Sequence, residues 1–150
     1  MKILMVCLGN ICRSPLAHGI MEQLVLEKGL DWEIDSAGTG NWHIGQGPDQ
    51  RSTREAANNG INISGQICRQ FRVRDFDDFD LIVVMDKFNL SDVLSIARNP
   101  ADAEKVVMLL GNKDVPDPYH DDSQFKPVFK LIKQGCQDLI NQLLEKKGFN

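Results

Sequence analysis

Apolar residues recur along the chain in two alternating rhythms. Ile3-Leu4-Met5-Val6 is a short unbroken apolar run, the mark of a strand buried on both faces. Leu16, Ile20, Met21 and Leu24 follow at helical spacing. Ser14 is the candidate cap of that helix, Pro15 suits its first turn, and Gly29 suits its end. Trp32 to Ala37 reads as a second strand. Residues 38–48 hold four glycines and one proline and read as a long loop. Ser52 to Asn59 reads as a short helix with Gly60 at its end. Leu81 to Met85 is the plainest buried strand. Asp86 to Ala97 reads as a helix with Leu90, Val93, Leu94 and Ala97 on one face. Val106 to Leu110 is a fourth strand, and Asp114 to Ser123 is a polar loop with two prolines. Phe125, Phe129, Ile132, Cys136, Leu139, Ile140, Leu143 and Leu144 describe a long amphipathic final helix.

Strands alternating with helices predict an α/β fold: a parallel sheet with helices on both faces. Ligands of such folds bind beyond the C-terminal ends of the strands. That rule gathers the loop after Cys7, the segments near Ser36 and Asp86, and the loop holding Asp117 on one rim.

Composition narrows the function. The chain has 150 residues, 42% of them hydrophobic and 25% charged, which fits one domain over residues 1–150. A net charge of −4 gives no broad footprint for nucleic acid, so attraction to an anionic substrate has to be local. Four cysteines (Cys7, Cys12, Cys68 and Cys136) are too few and too scattered for a secreted disulfide framework. The apolar run after Lys2 is too short for a signal peptide, and no stretch is long enough to span a membrane. The expectation is a reduced, cytoplasmic protein.

The chemistry concentrates in Val6-Cys7-Leu8-Gly9-Asn10-Ile11-Cys12-Arg13-Ser14-Pro15. Five residues separate Cys7 from Arg13. A loop of that length can curl so that successive N–H groups form an anion nest. Gly9 permits backbone conformations closed to most residues, and Asn10 tolerates the left-handed region. The helix that follows adds its positive end, and Arg13 adds a planar two-pronged donor for phosphate oxygens. The same surroundings act on Cys7. Positive surroundings of this kind favour the thiolate form of a cysteine. Cys7 is then a nucleophile aimed into a phosphate-shaped nest, and the Ser14 hydroxyl can donate to its sulfur. Such chemistry runs through a phosphocysteine. A zinc clip would need four ligands, but Cys68 and Cys136 stand alone and His18, His43 and His120 are scattered. The glycine-lysine pattern of a nucleotide-binding loop is absent.

Ester cleavage needs an acid for the leaving oxygen. Asp117 in Val115-Pro116-Asp117-Pro118-Tyr119 is the candidate, stiffened by two prolines and flanked by the only tyrosine of the chain.

Taken together, the Cys7–Pro15 segment, Asp35-Ser36-Ala37-Gly38-Thr39, Met85-Asp86 and Asp117-Pro118-Tyr119 resemble the low-molecular-weight protein tyrosine phosphatases. The resemblance runs over essentially the whole chain. It implies a flavodoxin-like three-layer sandwich with four parallel strands. It also implies hydrolysis of phosphotyrosine or aryl phosphate without metal or cofactor. Carried onto this chain, Cys7 attacks phosphorus, while Arg13 and the N–H groups of Leu8, Gly9, Asn10, Ile11 and Cys12 hold the phosphoryl oxygens. Asp117 gives the leaving group its proton and then acts as base toward water. Asn10, Ser14 and Ser36 resemble the polar network that shapes the loop. Trp42 and Tyr119 fall where an aromatic wall meets the substrate ring; for Trp42, packing on the surface is the alternative. Asp86 either braces Arg13 or caps the next helix. Cys12 either traps oxidised Cys7 as a disulfide or fills space, and Cys68 and Cys136 read as core residues. The chain departs from the family at two places. Gln66 stands where many members have a histidine bonded to the loop asparagine, which implies an amide donor there. His120-Asp121-Asp122 replaces a second tyrosine, so double tyrosine phosphorylation is not implied. The expected partner is a phosphotyrosine-containing protein or a small aryl phosphate, and the expected state is a monomer or weak dimer. Two other readings stand beside this one: a thiol-dependent arsenate reductase, and a phosphate-binding module without turnover.

Overall fold

The computed structural model describes residues 1–146. Its centre is a four-stranded, all-parallel sheet of β1 (Lys2–Cys7), β2 (Glu33–Gly38), β3 (Leu81–Val84) and β4 (Val106–Met108). The strand order is β2-β1-β3-β4. β1 is central: Met5 sits between Ser36 and Val83, and Val6 between Ala37 and Val84. This explains the unbroken apolar run, since Ile3 to Val6 are all fully buried.

Successive residues of each strand feed opposite cores. Ile3, Met5, Cys7, Val83 and Met85 pack with α1 (Arg13–Glu27) and α6 (Phe125–Lys146) through Leu16, Ile20, Phe129, Ile132 and Ile140. Leu4, Val6, Ile82 and Val84 face the other way, onto Phe71, Phe76 and Val93. Phe76 lies in α3 (Asp75–Asp78) and Val93 in α4 (Lys87–Leu94). The expected three-layer α/β arrangement is therefore present. Two further α-helices are α2 (Gln50–Asn58), and α5 (Pro100–Glu104) next to β4, and a 3₁₀ turn over Asp122–Gln124 leads into α6. None of the described helices is long and apolar enough to cross a membrane.

Several local expectations need correction. α1 starts at Arg13 with Cys12 at its cap position and no capping side chain. Ser14 is therefore inside the helix, and its hydroxyl is free for other work. β2 runs one residue later than expected at each end, Glu33–Gly38, and keeps Ser36 inside the strand. β3 and β4 end at Val84 and Met108, and α4 ends at Leu94, short of the expected Ala97. The helices α3 and α5 were not expected. At α5, Asn99 accepts from the Asp102 N–H and Pro100 opens the first turn, a start signal present in the sequence.

Candidate active site

β1 delivers Cys7 to the sheet rim, and the chain then curls through residues 8–12 before α1 begins. The carbonyls of this curl are tied outward. Cys7 O accepts from the Thr39 N–H at 2.9 Å, Leu8 O from the Gly40 N–H at 2.8 Å and Ile11 O from the Asp49 N–H at 2.8 Å. Gly9 O accepts from the Cys68 thiol at 3.2 Å, and Cys12 O from the Ser52 hydroxyl at 3.3 Å. Among the described residues, none of the N–H groups of Leu8 to Cys12 has an acceptor within the chain. Tied carbonyls and free N–H groups at a helix start make an anion cradle.

Asn10 has a φ of +56°, so it carries the left-handed turn of the loop, as its tolerance of that region suggests, while Gly9 has no positive φ. Asparagine suits this role because its amide also repays the strained backbone. Asn10 Nδ2 donates to Ser14 Oγ at 2.8 Å, and Asn10 Oδ1 accepts from the Arg69 N–H at 3.1 Å. Gly38 backs the loop. A Cβ there would come within 2.9–3.0 Å of Leu8 O, Asn10 N and Gly9 C, so only glycine fits.

Ser14 Oγ is 3.1 Å from Cys7 Sγ. Because Asn10 already donates to that oxygen, the Ser14 proton is left for the sulfur or for the Ala37 carbonyl, which is farther away at 3.5 Å. Arg13 is almost wholly buried. Its NH1 donates to Asp86 Oδ2 at 2.7 Å and to the Val115 carbonyl at 2.8 Å. Burial works against its charge, but Cys7 and Asp86 outweigh that, so its pKa lies above the ordinary value. Asp86 has two tasks, since its Oδ1 also accepts from the Asn89 N–H and caps α4. The alternatives left open by the sequence are both realised.

Asp117 lies across the cavity, with Oδ2 3.8 Å from Arg13 NH2 and Oδ1 accepting from the Tyr119 N–H at 3.1 Å. The cavity measures about 270 Å³, and Cys7, Arg13 and Asp117 all line it. Its walls are Leu8, Ile11, Trp42 and Tyr119, with His43 and His120 also at the mouth. Trp42 lies over Gly40, where an added Cβ would meet the indole ring at 1.9 Å. The ring therefore stands at the cavity mouth, with one side against the loop backbone.

Two expected supports are arranged differently. Gln66 does not reach Asn10, whose carbonyl is taken by the Arg69 N–H. Its Nε2 donates to Pro15 O at 3.1 Å, and its Oε1 is buried without a partner. Ser36 bonds to His18 Nδ1 at 3.0 Å and makes no bond to Asn10 or Ser14. Cys12 lines the cavity, and burial raises its thiol to about 12. Burial likewise raises Cys68 to about 11, and Cys136 is raised and enclosed between α1 and α6. The sequence reading missed His43, which meets the loop at Gly9, the Val115 carbonyl that holds Arg13, and Arg51. Arg51 could have been suspected from Asp49, whose spacing to it matches a helix cap; nothing local points to the other two.

Comparison with known proteins agrees with this geometry. The family model described as low molecular weight phosphotyrosine protein phosphatase matches residues 2–148. The chain is 39% identical to the Bacillus subtilis low molecular weight protein-tyrosine-phosphatase YfkJ, over 97% of each. Among solved structures, a protein tyrosine phosphatase from Entamoeba histolytica with Hepes in its active site superposes with a TM-score of 0.92 at 33% identity, covering 98% of this chain and 99% of that one. A Drosophila arginine phosphatase superposes at 0.88 with 32% identity, covering 95% and 98%. The cradle after the first strand, the arginine held from two sides and the match along almost the whole length have one reading: this chain belongs to the low molecular weight phosphotyrosine protein phosphatase family.

Proposed function

We propose that the protein hydrolyses aryl phosphate monoesters, phosphotyrosine above all, through a phosphocysteine on Cys7. One observation carries the reading. The Cys7 sulfur sits 3.1 Å from a hydroxyl donor, at the start of a loop whose N–H groups are free, with Asp117 lining the same cavity.

The sulfur attacks phosphorus as the bond to the aryl oxygen breaks, and the Asp117 carboxylic acid gives that oxygen its proton. Arg13 and the loop N–H groups hold the three non-bridging oxygens as charge spreads over them. Arg13 has no freedom to wander, because Asp86 and the Val115 carbonyl fix its other edge. Asp117, now a carboxylate, takes a proton from water, which attacks phosphorus and releases the cysteine. Ser14 stabilises the departing thiolate with its proton.

The walls support an aryl substrate. Leu8, Ile11, Trp42 and Tyr119 offer flat apolar surface. A phosphoarginine substrate would bring a guanidinium, and among the described residues Asp117 is the only acidic side chain lining the cavity to meet it. The arsenate reductase reading needs, besides Cys7 and Cys12 of the loop, two further cysteines close together in a mobile segment to pass a disulfide onward. Cys68 lies by the loop and Cys136 between α1 and α6, in separate clusters.

Cys12 is proposed as a redox guard. Peroxide converts the Cys7 thiolate to sulfenic acid, and the Cys12 thiol displaces water to leave a Cys7–Cys12 disulfide. Cys12→Ser should make inactivation by peroxide irreversible by dithiothreitol. A reducing compartment such as the cytoplasm suits four free cysteines.

Initial rates on p-nitrophenyl phosphate across pH, with chelator present, test the main reading. Turnover in the presence of chelator is expected, and Asp117→Asn should lower it by about 10² or more. No turnover by the fully reduced protein, or an unaffected Asp117→Asn, would overturn it.

A further inference from the structure

We infer that Arg51 is a positioning residue for this reaction, a clasp that sets the acid loop against the phosphate cradle; the inference rests on Asp117 being the acid. Arg51 lies in the first turn of α2, and that turn is fastened to the cradle. The Asp49 N–H reaches Ile11 O and the Ser52 hydroxyl reaches Cys12 O. From there the guanidinium reaches in two directions. Nε and NH2 form a fork on the two oxygens of Asp49, at 3.0 and 2.9 Å. NH1 donates to the Tyr119 carbonyl at 2.9 Å and to Asp122 Oδ1 at 2.6 Å. Its flat faces meet Phe125 at 4.5 Å and Tyr119 at 5.3 Å from the ring centroids.

Tyr119 is thus held at both ends of its backbone unit. Arg51 takes its carbonyl, and Asp117 Oδ1 takes its N–H. Through that one residue, the clasp fixes both the Asp117 carboxyl and the aromatic wall. The two ionic arms are unequal. Asp49 is 13% exposed and Asp122 is 84% exposed, so solvent screens the Asp122 arm and the Asp49 fork holds. A lysine could keep the charge, but it has neither the fork nor a flat face for two rings.

Proton donation matters most for a poor leaving group, which gives the inference a signature that simple destabilisation lacks. The experiment compares kcat/KM for phenyl phosphate and p-nitrophenyl phosphate in wild type, Arg51→Met, Arg51→Lys, Asp117→Asn and the Arg51→Met/Asp117→Asn double variant. Competitive inhibition by inorganic phosphate reports on the cradle. Arg51→Met should lose on the order of tenfold to hundredfold on phenyl phosphate and clearly less on p-nitrophenyl phosphate, with phosphate inhibition unchanged. Arg51→Lys should not rescue it. In the Asp117→Asn background, Arg51→Met should add almost nothing, because its effect passes through the acid. Equal losses on both substrates, full rescue by lysine or additive losses in the double variant would overturn the clasp. If Asp117→Asn alone shows no leaving-group dependence, the acid assignment fails instead. Should Arg51→Met not fold, Asp49→Asn opens the fork while keeping the helix cap, and the same pattern at smaller size is expected; its absence overturns the clasp.

Discussion

At the floor of the site Asn10 and Arg13 are 2% exposed and Ser14 is 0% exposed, whereas at its mouth Trp42 and Tyr119 are 65% and 40% exposed. The floor is made of backbone. Its shape comes from carbonyls tied to residues 39–68 and from one left-handed asparagine, so its donors are already aligned before a phosphate arrives. The mouth is made of side chains standing on loops, and its contacts can be altered without moving the floor. The contrast separates two functions, with rate set below and substrate preference set above.

The severest test of that division is Cys7→Ser. Turnover should fall by at least about four orders of magnitude, while titration with inorganic phosphate still shows binding. Lost phosphate binding would mean that the cradle depends on the sulfur, and the floor could not be called prearranged. Ser14→Ala comes next. Steady-state turnover should drop about tenfold or more, with the burst of aryl alcohol retained in rapid-quench traces, because the hydroxyl helps the sulfur depart. A lost burst would move Ser14 to the first step. Trp42→Ala should raise KM for phosphotyrosine peptides by roughly three- to tenfold with kcat nearly unchanged, the size of one aromatic stacking contact. A fall in kcat instead would show that the mouth also sets the rate.

The smallest effect is one of alkaline stability. Burial lifts Cys12 from 9.0 to about 12 and Cys68 from 9.0 to about 11. The folded protein therefore keeps thiol protons that the unfolded chain gives up. The stabilisation is full below about pH 9 and is lost as pH rises through these folded values. Thermal melts should fall by a few degrees between pH 9 and 11, and by less in Cys68→Ala. A melting temperature flat across that range would mean that the two thiols next to the cradle are better solvated than their burial implies.

Much of this was legible in the sequence, because the strands are short apolar runs and the helices have long apolar periods. Cys7, Arg13, Asp86 and Asp117 were found as a group because the rule that ligands bind beyond strand ends brings distant segments together. What escaped had other causes. The helices α3 and α5 have four and five residues, too few to show a helical period. Asn10 suits the left-handed region by type, but its two side-chain bonds, to Ser14 and to the Arg69 N–H, have no local signal. Ser14 looks like a helix cap by type and spacing, yet Cys12 holds the cap position, and of the two expected tasks only the contact with the Cys7 sulfur is realised. Gln66 was aligned with a histidine by resemblance, but its amide turns to Pro15 O. Arg51 carries only the local signature of a helix cap, and its decisive partners lie 68 and 71 positions later.

Of the five ties that hold the cradle's carbonyls, those from Thr39, Gly40 and Asp49 are made by main-chain N–H groups. Any residue except proline supplies such a donor. The segments behind the cradle can therefore exchange most of their letters over evolutionary time and still shape it. They cannot change their length as freely, because one inserted or deleted residue between Gly38 and Asp49 would shift these donors out of step with the carbonyls they meet. In a library of variants, tolerance in this stretch should divide by the kind of change, with substitutions largely accepted and single-residue insertions and deletions largely rejected.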